Sequence, residues 1–376
     1  MVKTENNYSE IAKEILKILK LRKNVLISGP PACGKSRLLN ELASAFTQEY
    51  HVPMVNPTSP VLIPRESGVA STFNDNNFPA FSATNRQVYR TVFHQNTKHR
   101  EFVTGYAPKN GELGFNIVKG TLYRASEFAK QHSSAALLII DEINRGPAVQ
   151  IFGGSIVGIE PEKRLDENNA LTIDTQLFEV IDPISGDIIE YALPNNLYIV
   201  AAMNQADTSV EPLDIAFLRR WAPFELAPDY TVLNEILEIT SSGTIDFNTP
   251  LDTSMLYEVS ILAFHKINTR ISIGKSKEFQ IGHGVYLTSR EDYSSKSLNE
   301  ALDYICNIFE YIFAHVKEVF FNDLHSISIV FNASNDLKDP IHILEVDFGE
   351  DTTEQLIIPK LTSQNIYKIL LQIIGE

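Results

Sequence analysis

Gly29-Pro30-Pro31-Ala32-Cys33-Gly34-Lys35-Ser36 follows the apolar run Val25–Ile27 and precedes Ser36–Phe46, a stretch of good helix formers. A strand, a loop of the form G-x-x-x-x-G-K-[ST] and a helix in that order make a phosphate cradle. The glycines let backbone N–H groups turn inward, and the helix N-terminus favours negative charge. In such a loop Lys35 reaches the outer phosphates and Ser36 holds Mg2+, and the cradle runs from Gly29 through Pro30, Pro31, Ala32, Cys33 and Gly34 to Arg37. Cys33 reads as a tolerated small residue of that loop.

Two further strands carry the chemistry that such a loop needs. Ala135–Ile140 ends in Asp141-Glu142, and Leu197–Met203 ends in Asn204; both runs are apolar enough to be buried on both faces of a parallel sheet. Asp141 at a strand end can hold the metal through water, and Glu142 can polarise an attacking water. The fold class is therefore α/β, a P-loop core with a parallel sheet flanked by helices.

At 376 residues the chain is long enough for two compact units. The spacing Ile11, Ile15, Leu16, Ile18, Leu19 predicts a helix over about 9–21. Residues 48–90, rich in Pro, Ser, Asn and Thr, read as a surface insertion, and the separation of Lys35 from Asp141 is long enough to need one. Pro183, Ser185 and Gly186 between two β-rich runs predict a hairpin. These readings place the nucleotide-binding domain at 1–228, an α-helical domain at 229–325, and a small β-rich element with one short helix at 326–376, where SISIVF, HILEVDF and EQLIIPKL look strand-like.

A net charge of −15 argues against a surface that neutralises many phosphates of a nucleic acid; the basic run Lys20–Lys23 is short. Two cysteines, Cys33 and Cys306, build neither a disulfide framework nor a cysteine zinc site, and no apolar run approaches the length of a membrane span. A cytoplasmic setting is expected.

Beyond the phosphate loop, Asp141-Glu142-Ile143-Asn144-Arg145 continues as GPAVQIFGGSIVGIEPEKR. Phe93-His94-Gln95, FVTGYAP at 102–108, MNQADTS at 203–209, Leu218-Arg219-Arg220-Trp221 and FQIGH at 279–283 come in the same order as in the McrB-type AAA+ GTPases, the motor subunits of modification-dependent restriction systems. The chain resembles that family over about residues 10–290. The resemblance implies an AAA+ core with a helical lid, and it implies roles for named residues. Asn204 would align the hydrolytic water, as sensor 1 does. Asp207 would orient Arg145 or that water, and Arg219 or Arg220, at the end of a helix predicted over 210–220, would be the finger that reaches a neighbour's terminal phosphate. Arg145 is a third arginine for the subunit boundary. Gly146 and Thr208 depart from the family's pattern.

His283 has two readings, one closing over the nucleotide from the lid and one structural. The resemblance implies Mg2+-dependent hydrolysis of GTP or ATP, with GTP ahead. Asn204-x-x-Asp207 does not decide the base, since Gln205 precludes the usual lysine motif. It also implies a homo-oligomeric ring, a hexamer, and a separately encoded McrC-like nuclease, with DNA contact local or through that partner. Two rival readings are a MoxR-like AAA+ chaperone and a nucleotide-gated assembly scaffold.

Overall fold

The apolar runs ahead of Asp141 and Asn204 become neighbouring strands inside a five-stranded sheet. The computed structural model describes residues 8–47, 81, 83–109, 111, 113–206, 213–239, 246, 248–250, 252–287, 296–349 and 351–375. The chain divides into two units, Met1–Ser28 with Lys35–Glu225, and Gly29–Gly34 with Leu226–Glu376.

The first unit opens with α1 (Glu10–Arg22), β1 (Asn24–Ser28) and α2 (Lys35–Thr47). There follow β2 (Asn85–Val92), α3 (His99–Phe102), β3 (Thr104–Pro108), β4 (Phe115–Lys119), α4 (Thr121–Ala129) and β5 (Ser134–Asp141). Then come α5 (Ala148–Phe152), α6 (Ser155–Gly158), β6 (Phe178–Ile181), β7 (Ile188–Tyr191), β8 (Leu197–Met203), α7 (Ile215–Leu218) and β9 (Ala222–Glu225).

Ser9 caps α1, its hydroxyl accepting from the Ala12 N–H at 3.2 Å, and the face Ala12, Ile15, Leu16, Leu19 is buried. The main sheet runs β2-β5-β8-β1-β9 with every pairing parallel. β5 is buried up to Ile140 and β8 throughout, as strands covered on both faces must be. The predicted hairpin forms as β6 and β7. A second hairpin, β3 with β4, lies against it: the Thr104 hydroxyl accepts from the Ile181 N–H at 2.9 Å, and the Tyr106 hydroxyl donates to the Gly186 carbonyl at 2.8 Å.

Two expectations change here. The stretch 48–90 is not loop to its end, because its last residues form β2, the edge strand paired with β5; residues 48–80 and 82 lie outside the described residues. Along β2 half-buried Arg86 and Val88 alternate with exposed Asn85 and Gln87, but the period slips at Tyr89, the half-buried set includes an arginine and Val92 is exposed, so the sequence shows no clean apolar alternation. Of the helix predicted at 210–220, the described residues form one turn, α7, capped by the Asp214 carboxylate accepting from the Phe217 N–H at 2.5 Å; residues 210–212 lie outside the described residues.

The second unit holds α8 (Thr231–Ile236), α9 (Thr253–Gly274), α10 (Leu298–Val319), α11 (Leu324–Phe331), the antiparallel pair β10 (His342–Phe348) and β11 (Asp351–Ile357), and α12 (Ile366–Ile374). SISIVF is therefore helix, not strand. Its alternation suggested period 2, but Ile327, Val330 and Phe331 also stand at helical spacing, and the Asp323 carboxylate caps the turn by accepting from the Ser326 N–H at 2.9 Å. Nor is the segment from 326 a separate element, for Phe331, Ile366 and Leu370 belong to the same apolar core as Phe264, Phe309 and Phe313. Phe331 stacks on Phe313 with centroids 4.2 Å apart. Phe331→Ala is expected to cost about 3–5 kcal/mol and to lower the melting midpoint of the whole helical unit; a transition in which only the tail melts would refute the shared core. Among the described residues no helix is long and apolar enough to cross a membrane.

Candidate nucleotide-binding site

Parallel pairing puts the carboxyl ends of the central strands at one end of the sheet, the usual place for a ligand. Ile140 lies beside Ala201 and Ser28 beside Met203, so Asp141 and Asn204 leave the sheet side by side. Lys35 and Ser36 open α2, with Ser36 and Arg37 exposed. Asn144 ties the two strand ends together, its amide donating to the Asn204 carbonyl at 2.9 Å. Asn204 Oδ1 is buried with no hydrogen-bond partner, a cost of about 1–3 kcal/mol unless a ligand or its water supplies a donor. Asp141 Oδ1 accepts the Glu142 N–H at 3.0 Å.

Glu142 adopts left-handed backbone, φ 52° and ψ 46°, a conformation costing a side-chain-bearing residue about 1–3 kcal/mol and concentrated at functional sites. Its carboxylate is paired with Arg145 Nε at 3.0 Å, both side chains remaining partly exposed. Asp207 and Thr208 lie outside the described residues.

The two finger candidates are treated differently by the fold. Arg220 is 8% exposed, and its Nε is paired with Glu160 at 3.0 Å while its guanidinium also meets the Ala216 carbonyl. Arg219 is exposed. The turn that presents them rests on the aromatic cluster Phe93, Phe102, Phe152, Phe217 and Trp221, with the Phe102–Phe152 centroids 4.7 Å apart and Phe152–Phe217 5.4 Å apart.

Sequence reasoning missed the network behind it. Asn24 donates to the Ile159 carbonyl at 2.6 Å and to the Arg220 carbonyl at 3.1 Å. Arg164, 1% exposed, donates to Asn24 Oδ1 at 2.6 Å, to the Ile159 carbonyl and to the Leu197 carbonyl. Burial pushes the Arg164 guanidinium down to about 9. Nothing local in the run Glu160-Pro161-Glu162-Lys163-Arg164 marks Arg164 as buried, because its charged neighbours Glu160, Glu162 and Lys163 all stay at least partly exposed.

The phosphate loop itself packs within the second unit. Ala32 has φ 60° and Gly34 φ 91°, and a Cβ at Gly29 would overlap the Leu226 carbonyl, so the loop needs glycine at both ends. The Pro31 carbonyl accepts the Gly282 N–H and the Ala32 carbonyl the Gly284 N–H, each at 2.8 Å. Cys33 is buried, 2% exposed. Left-handed turns at Ala32 and Gly34 of a G-x-x-x-x-G-K-[ST] loop fit the phosphates of a nucleotide; within the first unit, the orphaned acceptor of Asn204 beside the Asp141-Glu142 strand end fits a bound water. Ser36 and Asp141 have the oxygen donors that Mg2+ takes.

A sequence profile described as an AAA domain (dynein-related subfamily) matches residues 66–221. The type IV methyl-directed restriction enzyme EcoKMcrB subunit of Escherichia coli (strain K12) is 27% identical over 287 residues, covering 75% of this chain and 51% of that protein. The type II restriction enzyme BsuMI component YdiS of Bacillus subtilis (strain 168) is 36% identical over 88 residues, 23% of this chain and 25% of its own length. The chain thus spans about half the length of the first of these relatives and a quarter of the second. Among solved structures, a putative ATPase from Cytophaga hutchinsonii is similar at 13% identity and TM-score 0.33, covering 85% of this chain and 78% of that one. In its strand order, in the loop after β1 and in these relatives, the chain is similar to McrB-like AAA+ proteins.

Proposed function

We propose that this chain is the nucleotide-hydrolysing motor of a restriction system, acting on GTP or ATP with Mg2+. In this reading it works in a homo-oligomeric ring, a hexamer, and drives a separate McrC-like nuclease. The observation that carries the hydrolytic part is the adjacency of Asp141-Glu142 and Asn204 at one sheet end, joined through Asn144. The likeness to the McrB subunit supports the restriction setting.

The chemistry follows from the residues. Lys35 and the loop Gly29–Gly34 bind the phosphates, and Ser36 and Asp141 hold Mg2+. The ion, when bound, neutralises charge on the outer phosphates. Glu142 accepts a proton from a water whose oxygen attacks the terminal phosphorus, and the bond to the diphosphate breaks in line. Asn204 orients that water. Arg219 of a neighbouring copy meets the charge on the transferred group; Arg220, tied to Glu160, holds the turn in place, and Arg145 keeps Glu142 in its ion pair.

Phosphate release from GTP and from ATP, measured across protein concentrations that span assembly, tests this reading. Turnover per subunit should rise with concentration for one nucleotide. Constant turnover per subunit would remove the trans arginine, and none with either nucleotide, with or without a nuclease partner, would overturn the motor.

A further inference from the structure

The register that pairs Val25 with Ala222 starts β9 level with the second residue of β1. The turn Arg219–Trp221 therefore lies at the amino end of the sheet, whereas Asp141 and Asn204 leave its carboxyl end. β1, five residues long, spans about 15 Å between those ends. Arg219 thus stands roughly a strand's length from the Glu142 of its own subunit.

The amino end of the sheet is held by two buried polar side chains. Asn24, the fully buried first residue of β1, donates through Nδ2 to the Ile159 and Arg220 carbonyls, at 2.6 and 3.1 Å. Its Oδ1 accepts from Arg164 Nη2 at 2.6 Å. Arg164 also donates from Nε and Nη2 to the Ile159 carbonyl, at 3.0 and 2.8 Å, and from Nη1 to the carbonyl of Leu197, where β8 begins. Among the described residues this cation bonds only neutral acceptors, an arrangement that costs stability because no counter-charge offsets the loss of water. What it secures is orientation. With Oδ1 turned to the guanidinium, the Asn24 amide has both N–H groups directed at the two carbonyls. Arg220 is then fixed twice, its side chain by Glu160 and its main chain by Asn24, and Arg219 is the next residue back.

We propose that Asn24 is a positioning residue for hydrolysis at the adjoining subunit: its amide, oriented by Arg164, holds the main chain at Arg220 and so sets where the exposed Arg219 side chain reaches. The inference rests on the trans-arginine reading given above. Asn24 touches no substrate, and its effect is felt in a neighbouring copy. A misplacement of about 1 Å in a group that meets the reacting phosphate costs roughly 100-fold in rate.

Asn24→Asp separates this role from stability. The carboxylate keeps the size of the side chain and gives Arg164 a counter-charge, but it has no donor for the Arg220 carbonyl. Turnover of GTP or ATP by the full chain should fall about 10- to 100-fold, with nucleotide affinity within about threefold of the wild type and the melting midpoint near it. Two mixtures locate the defect. With Glu142→Gln, which contributes a sound Arg219, the Asn24→Asp subunit should regain turnover at its own intact site. With Arg219→Ala it should regain none, since neither subunit then delivers an arginine. Should Asn24→Asp fail to fold, Arg164→Met, which removes the buried charge and lets the amide turn, is read by the same two mixtures. Wild-type turnover in a folded variant, or equal recovery in both mixtures, would overturn the assignment. A control mixture of Arg219→Ala with Glu142→Gln that regains nothing, beside an active wild type, would remove the trans arginine and this inference with it; a wild type without turnover fails the motor reading first.

Discussion

Arg219→Ala is expected to lower nucleotide turnover by about 10³- to 10⁵-fold while leaving nucleotide binding and the melting midpoint near those of the wild type. The side chain is exposed at the end of α7, so its removal takes no packing from the core. Arg220→Ala should behave in the opposite sense. It leaves Glu160 without its buried partner and should cost about 3–5 kcal/mol, so its loss of activity follows its loss of fold. Mixing separates a finger from a local role. Arg219→Ala subunits retain Glu142, and Glu142→Gln subunits retain Arg219, so a mixed ring contains interfaces with both. Turnover regained on mixing two inactive variants identifies an arginine acting in trans; none regained would mean that Arg219 works within its own subunit or not at all.

Glu142→Gln should reduce phosphate release by about 10²- to 10⁴-fold with nucleotide affinity retained, because the amide keeps the size of the side chain and loses its proton acceptor. The same change loosens the pair with Arg145, which is partly exposed on both sides and so contributes at most about 1 kcal/mol to stability. A small change in the midpoint beside a large change in turnover is the signature sought. Single-turnover phosphate release within a few-fold of the wild type would assign the proton transfer to another group.

Much of the first unit was legible because its signals are local. Leu197–Met203 coincides with β8 to the residue, and the phosphate loop needs its neighbours on both sides in sequence, which is where the strand and helix stand. Longer-range effects were hidden. β2 shows weak alternation because it is an edge strand with polar neighbours, and nothing before Asn85 announces that it will pair with β5. SISIVF fits both periods, and only the cap at Asp323 and the packing of Phe331 on Phe313 decide between them. Asn24 and Arg164 stand far apart in sequence, so their bond could not be read from spacing, and neither could the pairing of Arg220 with Glu160 that distinguishes two adjacent arginines.

The six-residue loop Gly29–Gly34 packs with the C-terminal unit although it is encoded near the start of the chain. Neither unit is therefore a contiguous inheritable block. A recombination event that exchanged the C-terminal half between relatives at Glu225 would import a Gly282–Gly284 segment shaped for a different loop. Side chains at the equivalents of Ala32 or Gly282 would then have to match across the junction. Successful exchange is expected only when loop and segment are transferred as a pair, so covariation between residues 31–34 and 281–284 should be a lasting mark in the sequences of such chimeras' descendants.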